Sequence, residues 1–185
     1  MVINMNSCTF YWLKRNPQNL FLIFAAIAFM SIKGSLFADV LALLFISRTT
    51  LDIFTEMTYS LPFSRRDIWK FHVTVQAVLM MIFILVNLIQ NADNIWNILV
   101  SVFFVLFTFL NCLQSPRRKA FWWIGLLPII VIGLLNDCSP QIFRIIKKMA
   151  VNPQVHLILI AIEIVLVGIN IYSFFKEYRW FVKRS

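Results

Sequence analysis

The sequence predicts an all-α polytopic membrane protein, and three observations lead to this fold class: the composition, six apolar runs and the distribution of basic residues. Of the 185 residues, 61% are hydrophobic and 14% are charged. A soluble globular domain is usually about half apolar and about a quarter charged. The chain therefore belongs among membrane proteins, and we treat residues 1–185 as a single transmembrane domain.

Six apolar runs each predict one transmembrane helix. A helix needs about 20 residues to cross a hydrocarbon core of about 30 Å. The third, fourth and sixth runs meet this length, whereas the fifth is short and the first needs residues 16–18 as well. The six predicted spans cover residues 19–32, 36–54, 68–89, 95–113, 121–135 and 155–175.

The basic residues predict the orientation of these spans. With the N-terminus in the cytoplasm, only four of the 17 lysines and arginines fall outside, and the other thirteen fall inside. An excess of basic residues marks the cytoplasmic side, so both termini are predicted to be cytoplasmic, in a cell (plasma) membrane protein. The four predicted outside are Lys33, Arg144, Lys147 and Lys148.

Two further segments are typical of helices that lie on a membrane surface. Residues 5–15 place aromatic residues beside Lys14 and Arg15 and predict an N-terminal interfacial helix on the inner side. Residues 139–150 predict a short outer helix between spans five and six, with Ser139 as its cap and Pro140 in its first turn. Its apolar residues recur at helical spacing: Ile142, Ile145, Ile146 and Met149.

Two carboxylates lie within the predicted spans. Asp39 is in span two and Glu163 is in span six. An unpaired carboxylate in hydrocarbon costs several kcal/mol, so each should face protein or water, or be protonated. Both are candidates for lining a translocation path or a proton-coupled site. A structural hydrogen bond between helices is the alternative, favoured for Asp39 near the interface and equally open for Glu163.

Several other kinds of site are not expected. The basic residues lie between apolar runs, so the net charge of +9 orients the protein in the membrane and does not indicate nucleic acid. The cysteines stand apart, and His72 and His156 are predicted on opposite sides, so no metal site is expected. No glycine-rich phosphate loop or catalytic constellation is present, so we expect neither catalytic residues nor ATP binding in this chain. No removable signal peptide is expected.

The segment SLPFSRRDIWKFH, residues 60–72, is called the elbow segment here; it connects spans two and three on the cytoplasmic side. Pro62 separates two helices, Ser64 is expected to cap the second, and Asp67 lies favourably at its third position. The segment also carries Phe63 and Trp69, which we expect to be exposed and available to a partner protein.

The elbow segment resembles the Leu-Pro-x-Ser-Arg-(Lys/Arg)-(Asp/Glu)-Ile element of ABC-2-type permeases, the membrane subunits of a class of ATP-driven transporters. The sequence departs from the family pattern at Phe63 and at Lys70-Phe71. The residues that match are Leu61, Pro62, Ser64, Arg65, Arg66, Asp67 and Ile68.

The resemblance implies that the elbow segment is a cytoplasmic coupling element that docks on separate ABC ATPase subunits, which use ATP and Mg²⁺. This chain would bind no cofactor itself and would pair with a second permease subunit, identical or related. The coupling residues would be Leu61, Pro62, Phe63, Ser64, Arg65, Arg66, Asp67, Ile68 and Trp69, with Phe63, Arg65, Arg66, Asp67 and Trp69 at or beside the ATPase contact.

The expected cargo is hydrophobic or amphipathic, such as antimicrobial or cytolytic peptides, with drugs or lipids as further classes. Two other functions remain open from the residues alone. One is an ion-coupled secondary carrier that uses Glu163 and Asp39. The other is a membrane partner protein without transport activity.

Overall fold

The computed structural model describes residues 14, 17–32, 36–60, 64–114, 131 and 139–183, with the backbone alone at 36, 50–60, 140, 143 and 183. All regular structure in these ranges is helical, without strands. The helices are α1 (Gln18–Met30), α2 (Leu36–Ser60), α3 (Arg65–Gln90), α4 (Ile95–Gln114), α5 (Pro140–Val151) and α6 (Pro153–Lys183).

Three of the described helices are long and apolar enough to cross a membrane: Arg65–Gln90, Ile95–Gln114 and Pro153–Val182. They correspond to predicted spans three, four and six, so the expectation of a helical membrane protein is confirmed. Helix α1 has 13 residues and is therefore about 20 Å long, shorter than a bilayer core. Spans one, two and five remain predictions, as does the side on which each terminus lies.

Two predicted segments lie outside the described residues. The fifth span, 121–135, is described only at Val131, and the interfacial helix, 5–15, only at Lys14. The elbow residues 61–63 also fall outside.

Side-chain contacts between helices establish how the bundle is arranged. Gln76 near the start of α3 donates to Cys112 Sγ near the end of α4, at 3.1 Å, so these two helices are antiparallel. Helices α4 and α6 are parallel, since Trp96 stacks on His156 near their starts, with ring centroids 5.7 Å apart. We call the end with the starts of α4 and α6 the far end, and the opposite one, where α3 begins, the elbow end.

The main hydrophobic core lies between α1, α2, α3 and α4. Ala26 on α1 and Ala42 on α2 are both buried, and such small side chains allow two membrane helices to approach closely. The other buried members are Met30, Val40, Leu43, Leu44, Ile46, Met80, Phe83, Phe104, Val105 and Cys112.

Two helices continue beyond the apolar runs that predicted them. Helix α2 extends to Ser60, beyond the end of predicted span two at residue 54. Helix α6 extends to Lys183, eight residues past the predicted end at 175, because its last turns bury Glu177 and Phe181 against the bundle. Apolar runs therefore locate these helices but do not give their ends.

The predicted outer helix is present as α5, which begins at Pro140 as expected. Ser139 occupies the position before the helix, yet its side chain makes no capping hydrogen bond, so this part of the prediction is wrong. Pro140 removes only the N–H group of the first helical position, whereas a capping side chain accepts from the second or third, so the proline does not explain the missing bond. The side of the membrane on which α5 lies remains a prediction.

Candidate functional site

Ser64 starts α3 inside the elbow segment, as the sequence predicted. Its backbone is extended, and its Oγ accepts a hydrogen bond from the backbone N–H of Asp67 at 3.2 Å. The same hydroxyl donates to Asp67 Oδ2 at 2.6 Å, which holds the carboxylate in the first turn. The carboxylate there also interacts favourably with the positive end of the helix dipole.

The first two turns of α3 have a polar exposed side and an apolar buried side. Arg65, Arg66 and Lys70 are exposed, whereas Ile68 and Trp69 are each only 1% exposed. The described part of the elbow segment therefore presents cations at the surface, while Ile68 and Trp69 anchor it to the bundle.

The expectation that Trp69 is exposed is wrong. Its ring lies within an aromatic group on α6, with centroid distances of 6.1 Å to Phe174, 6.5 Å to Tyr178 and 5.9 Å to Phe181. Helix α6 continues past the predicted end of span six at 175, and its additional turns bring Tyr178 and Phe181 over Trp69. The assignment of Trp69 to a coupling element itself stays a prediction.

We call the buried residues at the elbow end the base cluster. It joins the start of α3 to the ends of α4 and α6, so these three helices are packed together where the elbow segment begins. Interlocked aromatic side chains at such spacing resist relative motion. The start of α3 is therefore packed tightly against α6. The base cluster consists of Ile68, Trp69, Phe71, Leu113 and Phe181.

The two carboxylates of predicted spans two and six lie on different helices, and the described contacts do not bring them together. Asp39 is half-buried in the first turn of α2, which packs against α1, α3 and α4. Glu163 is half-buried on α6, which packs mainly against α4 and α3. A joint site formed by both carboxylates therefore has no support in the described contacts.

Glu163 belongs to a polar line along α6. His156, Glu163, Asn170 and Glu177 recur every seven residues, a spacing that keeps side chains near one face of a helix. Asn170 and Glu177 are buried, with 6% and 5% exposure. The line runs from the far end to the elbow end and includes the residues that meet α4.

Glu163 and Asn170 each have a buried side-chain oxygen without a hydrogen-bond partner in the described part of the chain, but the amide nitrogen of Asn170 has two acceptors. The Asn170 amide donates to Leu106 O on α4 at 3.0 Å and to Leu166 O on its own helix at 2.9 Å. The buried Oε1 of Glu163 has no hydrogen-bond partner in the described part of the chain. A buried acceptor without a donor costs free energy, so this oxygen is suited to receive a proton, a water molecule or a ligand donor.

A network of asparagines at the far end was not foreseen from the sequence. Ser101 Oγ on α4 donates to Asn87 Oδ1 on α3 at 3.0 Å, and Asn91 Nδ2 donates to the same oxygen at 3.3 Å. Asn97 Nδ2 donates in turn to Asn91 Oδ1 at 3.2 Å. Asparagine enrichment around residue 91 was the available signal, but the pairing depends on the register of α3 against α4.

Metal ligation finds no support among the described residues, where no group of three or more histidine, cysteine or acidic side chains comes together. His72 lies near the elbow end of α3, and His156 lies at the far end of α6. The prediction that these two histidines cannot share a site agrees with this arrangement.

No protein-family model, curated protein or solved structure matches the chain.

Proposed function

We propose that the chain is the membrane-spanning permease subunit of an ATP-driven transporter of the ABC-2 type. Two such subunits, identical or related, would associate with two cytoplasmic ATPase subunits that bind and hydrolyse ATP with Mg²⁺. The cargo would be hydrophobic or amphipathic, with peptides first and drugs or lipids next.

The observation that carries this proposal is the construction of the elbow segment. Ser64 caps α3, the cations that follow it are exposed, and Ile68 and the adjoining Trp69 are buried in the base cluster. A loop with only a connecting role would not need this combination of a fixed helix start, surface charge and apolar anchoring.

The same construction suggests how ATP hydrolysis would drive transport. Closure of the ATPase subunits would push on the elbow segment, and the base cluster would pass the displacement to α6 and α4. The bundle would then change between two states open to opposite sides, with the energy supplied by the partner.

Charge reversal at the exposed face of the elbow segment tests the docking role. We expect R65E/R66E to abolish association with the ATPase and stimulation of its hydrolysis, because acidic side chains would repel an acidic docking surface. Co-purification with the ATPase and the rate of ATP hydrolysis in proteoliposomes measure both effects. Membrane insertion should remain normal, since Arg66 lies at the surface.

Two further variants make this test specific. Arg65 takes part in interactions within the chain, so R66E/K70E repeats the charge reversal at two exposed positions without changing Arg65. The control K147E/K148E makes the same change at exposed positions on α5 and should leave ATPase association intact. Unchanged coupling in both elbow variants would contradict the docking role.

Glu163 supports a second candidate function, an ion-coupled carrier. The supporting observation is the partnerless Oε1 on a helix that can cross the membrane. In this case the chain alone, in liposomes with an imposed pH gradient, would move protons, and E163Q would stop the movement. The matched control is D93N, a carboxylate-to-amide change at the exposed turn after α3.

The two candidates give opposite results in this assay. The permease proposal predicts that proton flux through the chain alone stays at the level of empty liposomes and does not change with E163Q. A gradient-driven flux that depends on Glu163 would favour the carrier.

A further inference from the structure

Helix α5 carries three exposed basic residues beside an open groove of about 520 Å³. The groove is lined by Arg144, Lys147, Lys148 and Val151. These positions follow the spacing i, i+3, i+4 and i+7, which brings side chains onto one face of a helix. We call this surface the basic groove.

No carboxylate lines the basic groove among the described residues. Arg144 and Lys148 are four residues apart, and like charges at this spacing repel each other. Part of this repulsion is offset because Lys148 lies in the last turn, near the negative end of the helix dipole. Charge complementarity therefore favours an anion that contacts all three cations.

Apolar side chains next to the cations indicate a lipid surface as the source of this anion. Ile145, Met149 and Val151 are 53%, 44% and 76% exposed on the same helix. A helix that combines exposed basic and aliphatic side chains lies favourably at the boundary between headgroups and acyl chains. A free phosphate in water would contact the cations but would leave these aliphatic side chains uncovered.

We propose that the basic groove binds the phosphate of an anionic phospholipid. The Arg144 guanidinium can donate two parallel hydrogen bonds to phosphate oxygens, and the two lysines supply compact positive charges. Val151 lies at the end of the groove where the first part of an acyl chain would pass.

The bound headgroup would also hold the start of α6 in place. His156 Nε2 donates to Ala150 O at 2.9 Å, and Gln154 N–H donates to Asn152 Oδ1 at 3.0 Å in the turn between the helices. His156 also stacks on Trp96 of α4. Fixing α5 at the membrane surface would therefore stabilise the contact between α4 and α6 at the far end.

The experiment measures the unfolding temperature of the purified full chain in an uncharged detergent, titrated with short-chain phosphatidylglycerol, phosphatidylcholine or inorganic phosphate. A ligand that binds only the folded state raises this temperature in proportion to its occupancy. We expect phosphatidylglycerol to raise it, while phosphatidylcholine and inorganic phosphate at equal concentration have little effect. The shift should decrease at high ionic strength because salt screens charges at the surface.

The variant R144Q/K147Q/K148Q should bind phosphatidylglycerol about a hundredfold more weakly, since each basic residue near an anionic lipid surface contributes about fivefold. The matched control K70Q/K176Q/R179Q removes one arginine and two lysines from exposed positions near the elbow end and should keep the shift. The variant R144K/K147R/K148R retains the charges and should also keep it.

Three outcomes would overturn the proposal. The first is an equal loss of the temperature shift in K70Q/K176Q/R179Q, which would indicate that phosphatidylglycerol is attracted by the overall positive charge and not by the basic groove. The second is an equal shift with inorganic phosphate or phosphatidylcholine. The third is an unchanged shift in R144Q/K147Q/K148Q, or its loss in R144K/K147R/K148R. None of these readouts depends on an ATPase partner, so the result is independent of the proposed transport function.

Discussion

At the scale of single residues, Asn170 shows how one polar side chain holds two membrane helices together. It donates to a carbonyl on α4 as well as to a carbonyl four residues earlier on its own helix. Hydrogen bonds between helices in a membrane contribute between about 0.6 and about 2 kcal/mol. The Asn170 amide is therefore the clearest polar link between α4 and α6.

We expect N170A to lower the free energy of unfolding by about 1 kcal/mol through loss of this link. The matched control is N111A, because Asn111 donates at 2.9 Å to the carbonyl of Phe107 on its own helix. Denaturation of the purified variants in mixed micelles measures the free energy of unfolding of N170A and of N111A. An equal loss of stability in the two variants would show that the bond to Leu106 has no net effect.

Ser64 and Trp69 show which residue properties a sequence reveals. The cap at Ser64 could be predicted because it depends on a hydroxyl, a carboxylate three residues later and a proline two residues earlier, all local in the chain. The burial of Trp69 could not, because it depends on side chains of α6 more than a hundred residues later. The partnerless oxygen of Glu163 likewise depends on what α4 places opposite it.

At the scale of elements, the base cluster packs the start of α3 against the end of α6. We expect W69A to destabilise the protein by about 3 kcal/mol or more, since truncating a buried aromatic side chain leaves a cavity. W69F should lose much less stability than W69A because phenylalanine keeps most of the ring contacts. The exposed neighbour provides the control, and K70A should be close to neutral.

Thermal unfolding of these three variants measures the effect of Trp69. A W69A variant as stable as K70A would contradict the packing of α3 on α6. The outcome bears on mechanism too, because the proposed transfer of motion from the elbow segment requires this packing.

The helices themselves could largely be predicted from apolar runs, but their ends could not. An apolar run locates α3, α4 and α6 because a membrane span must be apolar along its length. The polar turns at the end of α6 form a helix for another reason, the burial of Glu177 and Phe181 against neighbouring helices. This cause is tertiary and has no marker in the local sequence.

At the scale of the whole molecule, the residues with proposed functions lie at two opposite ends of the helix bundle. The elbow end combines the Ser64 cap, the exposed cations and the base cluster. The far end combines the basic groove with the contact between Trp96 and His156. In the proposed orientation, an ATPase would act at the first end and membrane lipid at the second.

The central claim is that the elbow segment faces the cytoplasm, where an ATPase can reach it. The most direct measurement is labelling with a membrane-impermeant maleimide after R66C or D93C is introduced into a chain whose three native cysteines are replaced by serine. Both introduced positions are exposed and lie on opposite sides of the predicted membrane.

We expect R66C to be labelled in inverted membrane vesicles and protected in intact cells, with the reverse pattern for D93C. Labelling of R66C in intact cells at the rate of D93C would place the elbow segment outside and contradict the central claim.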